Sequence, residues 1–197
     1  MAPWYEKFIT REDATPDPRR TSEMPALKLN YVAGLDYRRS LTAAGEKTPR
    51  YEIQRQAKFG GRGSQVHVMS SAHKDDPIAI IDFHMTNVTV EFQKRQHKIK
   101  LDTLGSIDPG SGLSTLHLKP TGGKAYGHAS WEYRDENSLV MSVEIDDGQV
   151  NGLIALWKEN LDPETVEDLI LVGITKIEQY KRVLRQAKRT IVIAATA

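Results

Sequence analysis

The densest run of chemistry-bearing residues in this chain is Lys94-Arg95-Gln96-His97-Lys98-Ile99-Lys100. Four fixed positive charges, on Lys94, Arg95, Lys98 and Lys100, surround one expected hairpin, with Gln93 and His97 as hydrogen-bonding neighbours. Such a loop can hold phosphate groups through charge-assisted hydrogen bonds. A cluster of about four to eight basic residues is the usual footprint of an anionic lipid headgroup site. The alternative is a charged turn that meets only water. The spacing makes an anionic headgroup the candidate ligand and these four residues its candidate contacts.

Two further basic groups carry weaker signals. Lys181, Arg182, Arg185, Lys188 and Arg189 fall late in a helical pattern, where cations complement the helix dipole, and they read as helix-end charge. Arg19-Arg20-Thr21-Ser22 matches a basophilic kinase pattern and makes Ser22 a candidate phosphorylation site, although so short a pattern is a common accident.

No other motif yields a site. The six histidines, His67, His73, His84, His97, His117 and His128, show no tight ligand spacing. His84 beside Asp82 is the first pair to inspect, because residues two apart on a strand share a face. No metal and no cofactor is expected. Gly60-Gly61-Arg62-Gly63 lacks dinucleotide spacing. Thr121-Gly122-Gly123-Lys124 has Leu118 at the first P-loop glycine and Ala125 at the required Ser or Thr. Both glycine clusters read as hairpin turns. Asp146-Asp147-Gly148 is turn chemistry rather than a catalytic carboxylate pair, and no Gly-x-Ser-x-Gly nucleophile elbow occurs. Nothing identifies a catalytic group, so a non-enzymatic protein is expected.

Composition narrows the setting. In 197 residues, 27 Lys and Arg balance 26 Asp and Glu to a formal charge of +1, which gives no global pull toward nucleic acid. The absence of cysteine removes disulfides and thiol chemistry. It suits a reducing compartment. The first residues lack a signal-peptide core, and no segment reaches the roughly 18 apolar residues of a membrane span. An intracellular protein, cytoplasmic or peripheral at membranes, is the expectation.

These residues need elements to position them. Residues 1–26 are proline-rich, charged and non-periodic, and read as a flexible tail with Trp4, Tyr5 and Phe8 as a short anchor. From Ala26 onward the pattern has period two, with about nine strands at hairpin spacing up to Trp157, the signature of an all-β sandwich or barrel. Short connections make neighbouring strands antiparallel. A helix follows over about 163–189. Asp162 is its N-cap, Pro163 its first residue, and Glu164, Glu167 and Asp168 sit on the positive end of its dipole. Its middle, Leu169-Ile170-Leu171-Val172-Gly173-Ile174, is apolar all round and must be surrounded by protein. Gly173 suggests close approach to a wall of strands. Residues 191–197 form an apolar end that reads as strand, helix or loose chain.

Several hairpin strands followed by one buried, Asp-started helix resemble the tubby-like C-terminal superfamily, near the LURP-one-related proteins and fungal tubby-like domains of unknown function. The carrying residues are Leu27 to Tyr31, Tyr51-Glu52-Ile53, Pro77-Ile78-Ala79-Ile80-Ile81-Asp82-Phe83 and Asp168-Leu169-Ile170-Leu171-Val172-Gly173-Ile174. The resemblance is one of order and pattern, over most of residues 27–189. It implies a mainly β fold: a closed antiparallel barrel of about twelve strands around the helix, spanning 27–190, with no active site built in. Some relatives bind phosphoinositides, but no phosphoinositide motif falls on matching positions here.

The leading expectation is a non-enzymatic binding or adaptor module for an anionic phospholipid or phosphoinositide headgroup. A protein-interaction scaffold or homodimer, using a strand edge or the apolar end, is the alternative. A small-molecule carrier or barrel enzyme is a third reading, which needs an open cavity.

Overall fold

The computed structural model of the protein describes residues 14–34, 38–57, 64–72, 76–84, 87–102, 106–109, 113–124, 127–136 and 138–195. A one-turn helix α1 (Arg19–Ser22) precedes eleven strands: β1 (Leu27–Ala33), β2 (Arg39–Ala43), β3 (Tyr51–Ala57), β4 (Ser64–Ser70), β5 (Ala79–Phe83), β6 (Asn87–Phe92), β7 (His97–Asp102), β8 (His117–Gly123), β9 (Ala129–Arg134), β10 (Leu139–Ile145) and β11 (Asn151–Leu156). The long helix α2 (Pro163–Ala195) closes the chain. The expected anchor at Trp4, Tyr5 and Phe8, the Gly60–Gly63 cluster and His73 lie outside the described residues.

All eleven strands join one antiparallel sheet in the order β7-β6-β5-β4-β3-β2-β1-β11-β10-β9-β8. Alternation selects its inner face. In β5 and β6, Ala79, Ile81, Phe83, Val88, Val90 and Phe92 are buried, while their neighbours are partly or fully exposed. The helix touches β5 and β6 from one half of the sheet and β10 and β11 from the other. Every residue from Asp168 to Lys181 is buried. The sheet is therefore curled about the helix, which accounts for a helical segment without a wet face.

The sheet does not close into a barrel, which corrects the expectation of a closed twelve-stranded cylinder. Its outer strands are β7 and β8, which do not pair with each other among the described residues. Among the described residues of the connecting chain, Ile107 and Leu116 form a bridge, and both are buried in the core. The makeup of β8 explains part of this. Pro120 has no N–H to donate to another strand, and proline belongs on edge strands for that reason. Gly122 and Gly123, read from sequence as a turn, continue β8 past a register shift and pair with Ser130 and Ala129.

Helix α2 starts as its residue types dictate. The Asp162 carboxylate accepts the backbone N–H groups of Glu164 and Thr165, both at 3.0 Å. These bonds and the Thr165 hydroxyl hold the Asp162 carboxyl below its usual range. Gly173 is required by packing: a Cβ there would lie 2.9 Å from Ile154 Cδ1 on β11. The helix continues to Ala195, so the β-branched run Thr190-Ile191-Val192-Ile193 is helical rather than a last strand. No described helix is long and apolar enough to cross a membrane.

Candidate anion-binding site

One open end of the curled sheet gathers basic side chains on its inner face. Burial alternates along β2 so that Arg39, Leu41 and Ala43 face inward. Register places Arg39 between Ala33 of β1 and Ile53 of β3. Arg55 stands two residues beyond buried Ile53 and shares its face of β3. From the helix, Glu178, Lys181, Arg182 and Arg185 project toward the same end, being neighbours at three- and four-residue spacing.

The deepest part is a polar cluster between β1, β2 and α2. The Tyr31 hydroxyl donates to Glu178 Oε1 at 2.6 Å, and Lys181 Nζ donates to the Tyr31 hydroxyl at 3.0 Å and to the Gln149 carbonyl at 2.8 Å. Arg39 Nε lies 3.0 Å from Glu178 Oε1, with side-chain exposures of only 7% and 1%. That contact is an ion pair without hydrogen-bond alignment. Among the described residues, Arg39 Nε and Nη1 and Glu178 Oε2 all lack hydrogen-bond partners. Buried polar groups are nearly always paired, so three orphaned atoms in one cluster need a reason.

Positive charge dominates this end. Arg185 is half-buried, and burial, then Arg55, with a smaller push from Arg39, lowers its guanidinium to about 10. Lys181 is pushed down to about 8, by burial first, with Arg39 and Arg185 adding to it against the pull of Glu178 and Asp146. Burial and Arg55 also lower Arg182, which Asp82 offsets in part. Arg182 Nη1 donates to the Phe83 carbonyl at 3.0 Å, with its guanidinium 5.4 Å from the Phe83 ring centre. Burial and Glu178 hold the Tyr31 phenol far above its usual range, so it remains a neutral donor. Arg39, Lys181 and Arg185 thus bear on the buried Glu178, while Arg55 bears on Arg182 and Arg185, with Asp82 beside Arg182 and Asp146 beside Lys181. Like charges held this way favour an anion among them.

The four residues expected to bind a headgroup are divided. Arg95 turns toward the start of α2. There Nη2 donates to Glu167 Oε2 at 2.8 Å and Asp168 Oδ1 at 2.6 Å, Nη1 lies 3.6 Å from Glu164, and the guanidinium stacks 4.4 Å from the Phe92 ring centre. Lys94 joins Arg95 along a groove of about 420 Å³ that Glu164 and Glu167 also line, an acidic setting. Lys98 and Lys100 lie on the outer face of β7, opposite the inward Ile99 and Leu101, and Lys98 Nζ pairs with Glu91 at 3.0 Å. The hairpin does not bring its cations together.

The remaining sequence candidates are also placed. His84 Nε2 lies 3.9 Å from Asp82 at an exposed strand end. Among the described residues no three His, Cys, Asp or Glu side chains gather to hold a metal. The Asp146 carboxylate accepts the N–H groups of Val150 and Asn151, at 2.9 and 3.1 Å, and so forms the expected turn. Lys181, Arg182 and Arg185 lie more than two turns before the helix end at Ala195, beyond reach of the terminal dipole that explains them in sequence. Arg39 and Arg55 escaped the sequence reading. Their visible signal was a cation on the inward phase of an alternating strand.

A curled eleven-stranded sheet around one helix, with a basic open end, defines a mainly β protein with a candidate anion site. No family model, curated protein or solved structure matches the chain.

Proposed function

We propose that this protein is a non-enzymatic binding module for a phosphate-bearing anion, received at the basic end formed by Arg39, Arg55, Lys181, Arg182 and Arg185. The observation that carries this reading is the buried Arg39, whose Nη1 lacks a partner among the described residues, amid an excess of positive charge. A phosphate group would supply both the missing acceptor and the counter-charge, since guanidinium and phosphate match in geometry and sign. An inositol phosphate headgroup, free or at a membrane surface, is the ligand class proposed. A sheet curled about one helix supports the tubby-like resemblance as part of this reading, while the open seam between β7 and β8 departs from it.

The test uses calorimetry with a soluble inositol polyphosphate, and flotation with neutral vesicles against vesicles containing phosphoinositide. The doubly charge-reversed variant Arg182→Glu/Arg185→Glu should lose roughly tenfold or more in affinity, as removal of charge-assisted contacts implies. Binding of the soluble headgroup without flotation would assign a free ligand rather than a membrane surface. Absence of binding in both assays would refute the proposal.

A further inference from the structure

The outer face of β8, β9 and β10 carries polar residues, yet it is buried. Thr121, Ser130, Glu132 and Ser142 are all hidden from solvent. Trp157 covers Ser142, its indole N–H donating to the Ser142 hydroxyl at 3.0 Å. The chain's own residues 14–22 cover the rest. Ala14 N donates to the Pro120 carbonyl at 2.9 Å, on the edge strand, and Asp17 N donates to Glu132 Oε1 at 2.9 Å. Arg19 Nη2 reaches the Leu139 carbonyl at 3.2 Å.

The centre of the contact is Arg20. Its Nη1 donates to Thr121 Oγ1 and to Glu132 Oε1, each at 3.0 Å, and its Nη2 donates to Ser130 Oγ at 3.1 Å and to the Glu144 carboxylate. The Arg20 side chain is 13% exposed and that of Glu132 is 0%. Four acceptors arranged around one planar fork read arginine and would not be filled by lysine.

The chemistry of both partners fits a cover that leaves. Helix α1 buries none of its residues, so the attachment is polar and lacks an apolar anchor. The side chains that Asp17 and Arg20 touch there are hydroxyls and carboxylates, which water can solvate. Glu132 also keeps a second partner, because Arg134 donates to its Oε2 and remains on β9 when Arg20 goes. Release therefore strands no buried charge, the condition that makes breaking such pairs costly.

From these observations we infer that the outer face of β8–β10 is a recognition site for an arginine-bearing peptide segment, held closed in this chain by its own residues 14–22. Docking also hides Arg20 from any kinase that would read Arg19-Arg20-Thr21-Ser22, while the Thr21 and Ser22 hydroxyls stay exposed. The site is remote in sequence from the anion site and does not depend on it.

The test supplies the segment in trans. A synthetic peptide of residues 14–23 is titrated into the full chain carrying Arg20→Ala and into the unaltered chain. Binding is expected to the Arg20→Ala chain. In the unaltered chain the tethered segment competes at an effective concentration in the millimolar range, and binding should be about tenfold weaker or worse. A peptide with Arg20→Lys should bind the variant about tenfold more weakly than the native peptide, through loss of the planar fork. A folded Arg20→Ala chain that ignores the peptide, or that binds the lysine peptide equally well, would overturn the inference. A second measurement needs no variant. Hydrogen exchange on the unaltered chain should show amides 14–22 opening faster than those of β9, and faster still in high salt. Exchange as slow as that of β9, unmoved by salt, would make the segment a fixed part of the fold.

Discussion

At the start of α2 one arginine meets three carboxylates, while further along the same helix several arginines meet one. Arg95 lies within ion-pair distance of Glu164, Glu167 and Asp168. Arg39, Lys181 and Arg185 bear on Glu178, with Arg55 and Arg182 flanking them. The first group is a clamp that ties the β6–β7 hairpin to the helix, with its cation fully engaged. In the second, the carboxylate leaves an arginine nitrogen without a partner. Both occupy ends of one curled sheet, so the difference is not one of fold. At the clamp the orphaned nitrogen is His97 Nε2, 3.7 Å from Asp168, which a carboxylate already faces, whereas at the basic end it is a guanidinium nitrogen that an added anion would satisfy.

The largest effect should come from removing Glu178. Glu178→Gln leaves Arg39 and Lys181 without their carboxylate, and loss of one member of a buried pair costs about 3–5 kcal/mol. Chemical denaturation should record that loss. A soluble inositol polyphosphate should raise the variant's midpoint more than the native protein's, because the ligand replaces the missing negative charge. A variant of native stability that gains nothing from the ligand would erase the contrast between the two ends.

Next comes the opposite clamp. Arg95→Ala should cost about 1–3 kcal/mol near neutral pH, the range for hydrogen bonds to charged groups. Burial raises the Asp168 carboxyl above the ordinary carboxylate range despite the pull of Arg95, so the folded protein holds this proton more tightly than the unfolded chain. Stability accordingly falls as pH rises from the unfolded value through the higher folded one. Without Arg95 the folded value climbs further, so the deficit should be largest near neutrality and shrink as pH drops into the carboxylate range. Unfolding curves at two pH values check the sign, and added phosphate should not rescue this variant.

Much of this contrast was hidden in the sequence for a physical reason. The helix announced itself through Asp162, Pro163 and an apolar middle. Strands such as Ala79–Phe83 and Leu139–Ile145 followed from apolar runs and alternation. Strand β2 is hard to read because Arg39-Ser40-Leu41-Thr42-Ala43 puts a cation on the inward phase, where a core residue is expected. The glycine pair Gly122-Gly123 reads as a turn although it belongs to β8, because proline and glycine break strands except on an edge. Sheet closure was not legible, since it depends on whether β7 and β8 meet across fourteen intervening residues. The basic end depends on long-range register: Arg39 and Glu178 touch only because β2, β1 and the helix are stacked. The Lys94–Lys100 run was visible because its charges are adjacent in sequence, which is no guarantee that side chains converge.

Protonation of Lys181 offers a finer probe of the basic end. Burial lowers this ammonium to about 8 from the ordinary lysine value of 10.5. Below about pH 8 it is charged in both folded and unfolded chains. Between about 8 and 10.5 only the unfolded chain keeps the proton, and stability should rise with pH across that window. Ligand binding should show the reverse, because a bound anion favours the ammonium. Affinity should weaken as pH passes about 8, by at most about tenfold per pH unit for one linked proton. Calorimetry across the window would show this slope, and Lys181→Arg should flatten it.

The smallest effect belongs to the outer face of β7, which serves as the control for the whole comparison. Lys98 and Glu91 are directly opposed in register and 3.0 Å apart, with side-chain exposures of 61% and 50%. Water screens such a pair, and a double-mutant cycle should give about 0.2–1 kcal/mol or less. Lys100 shares that outer face. Replacing both lysines with alanine should leave folding nearly unchanged and headgroup affinity within about twofold of native, apart from a long-range term that salt removes. If instead this pair lowers binding as much as Arg182→Glu/Arg185→Glu, the ligand engages the β6–β7 hairpin. The clustered charges of Lys94 to Lys100 would then outrank the buried arginines as its site.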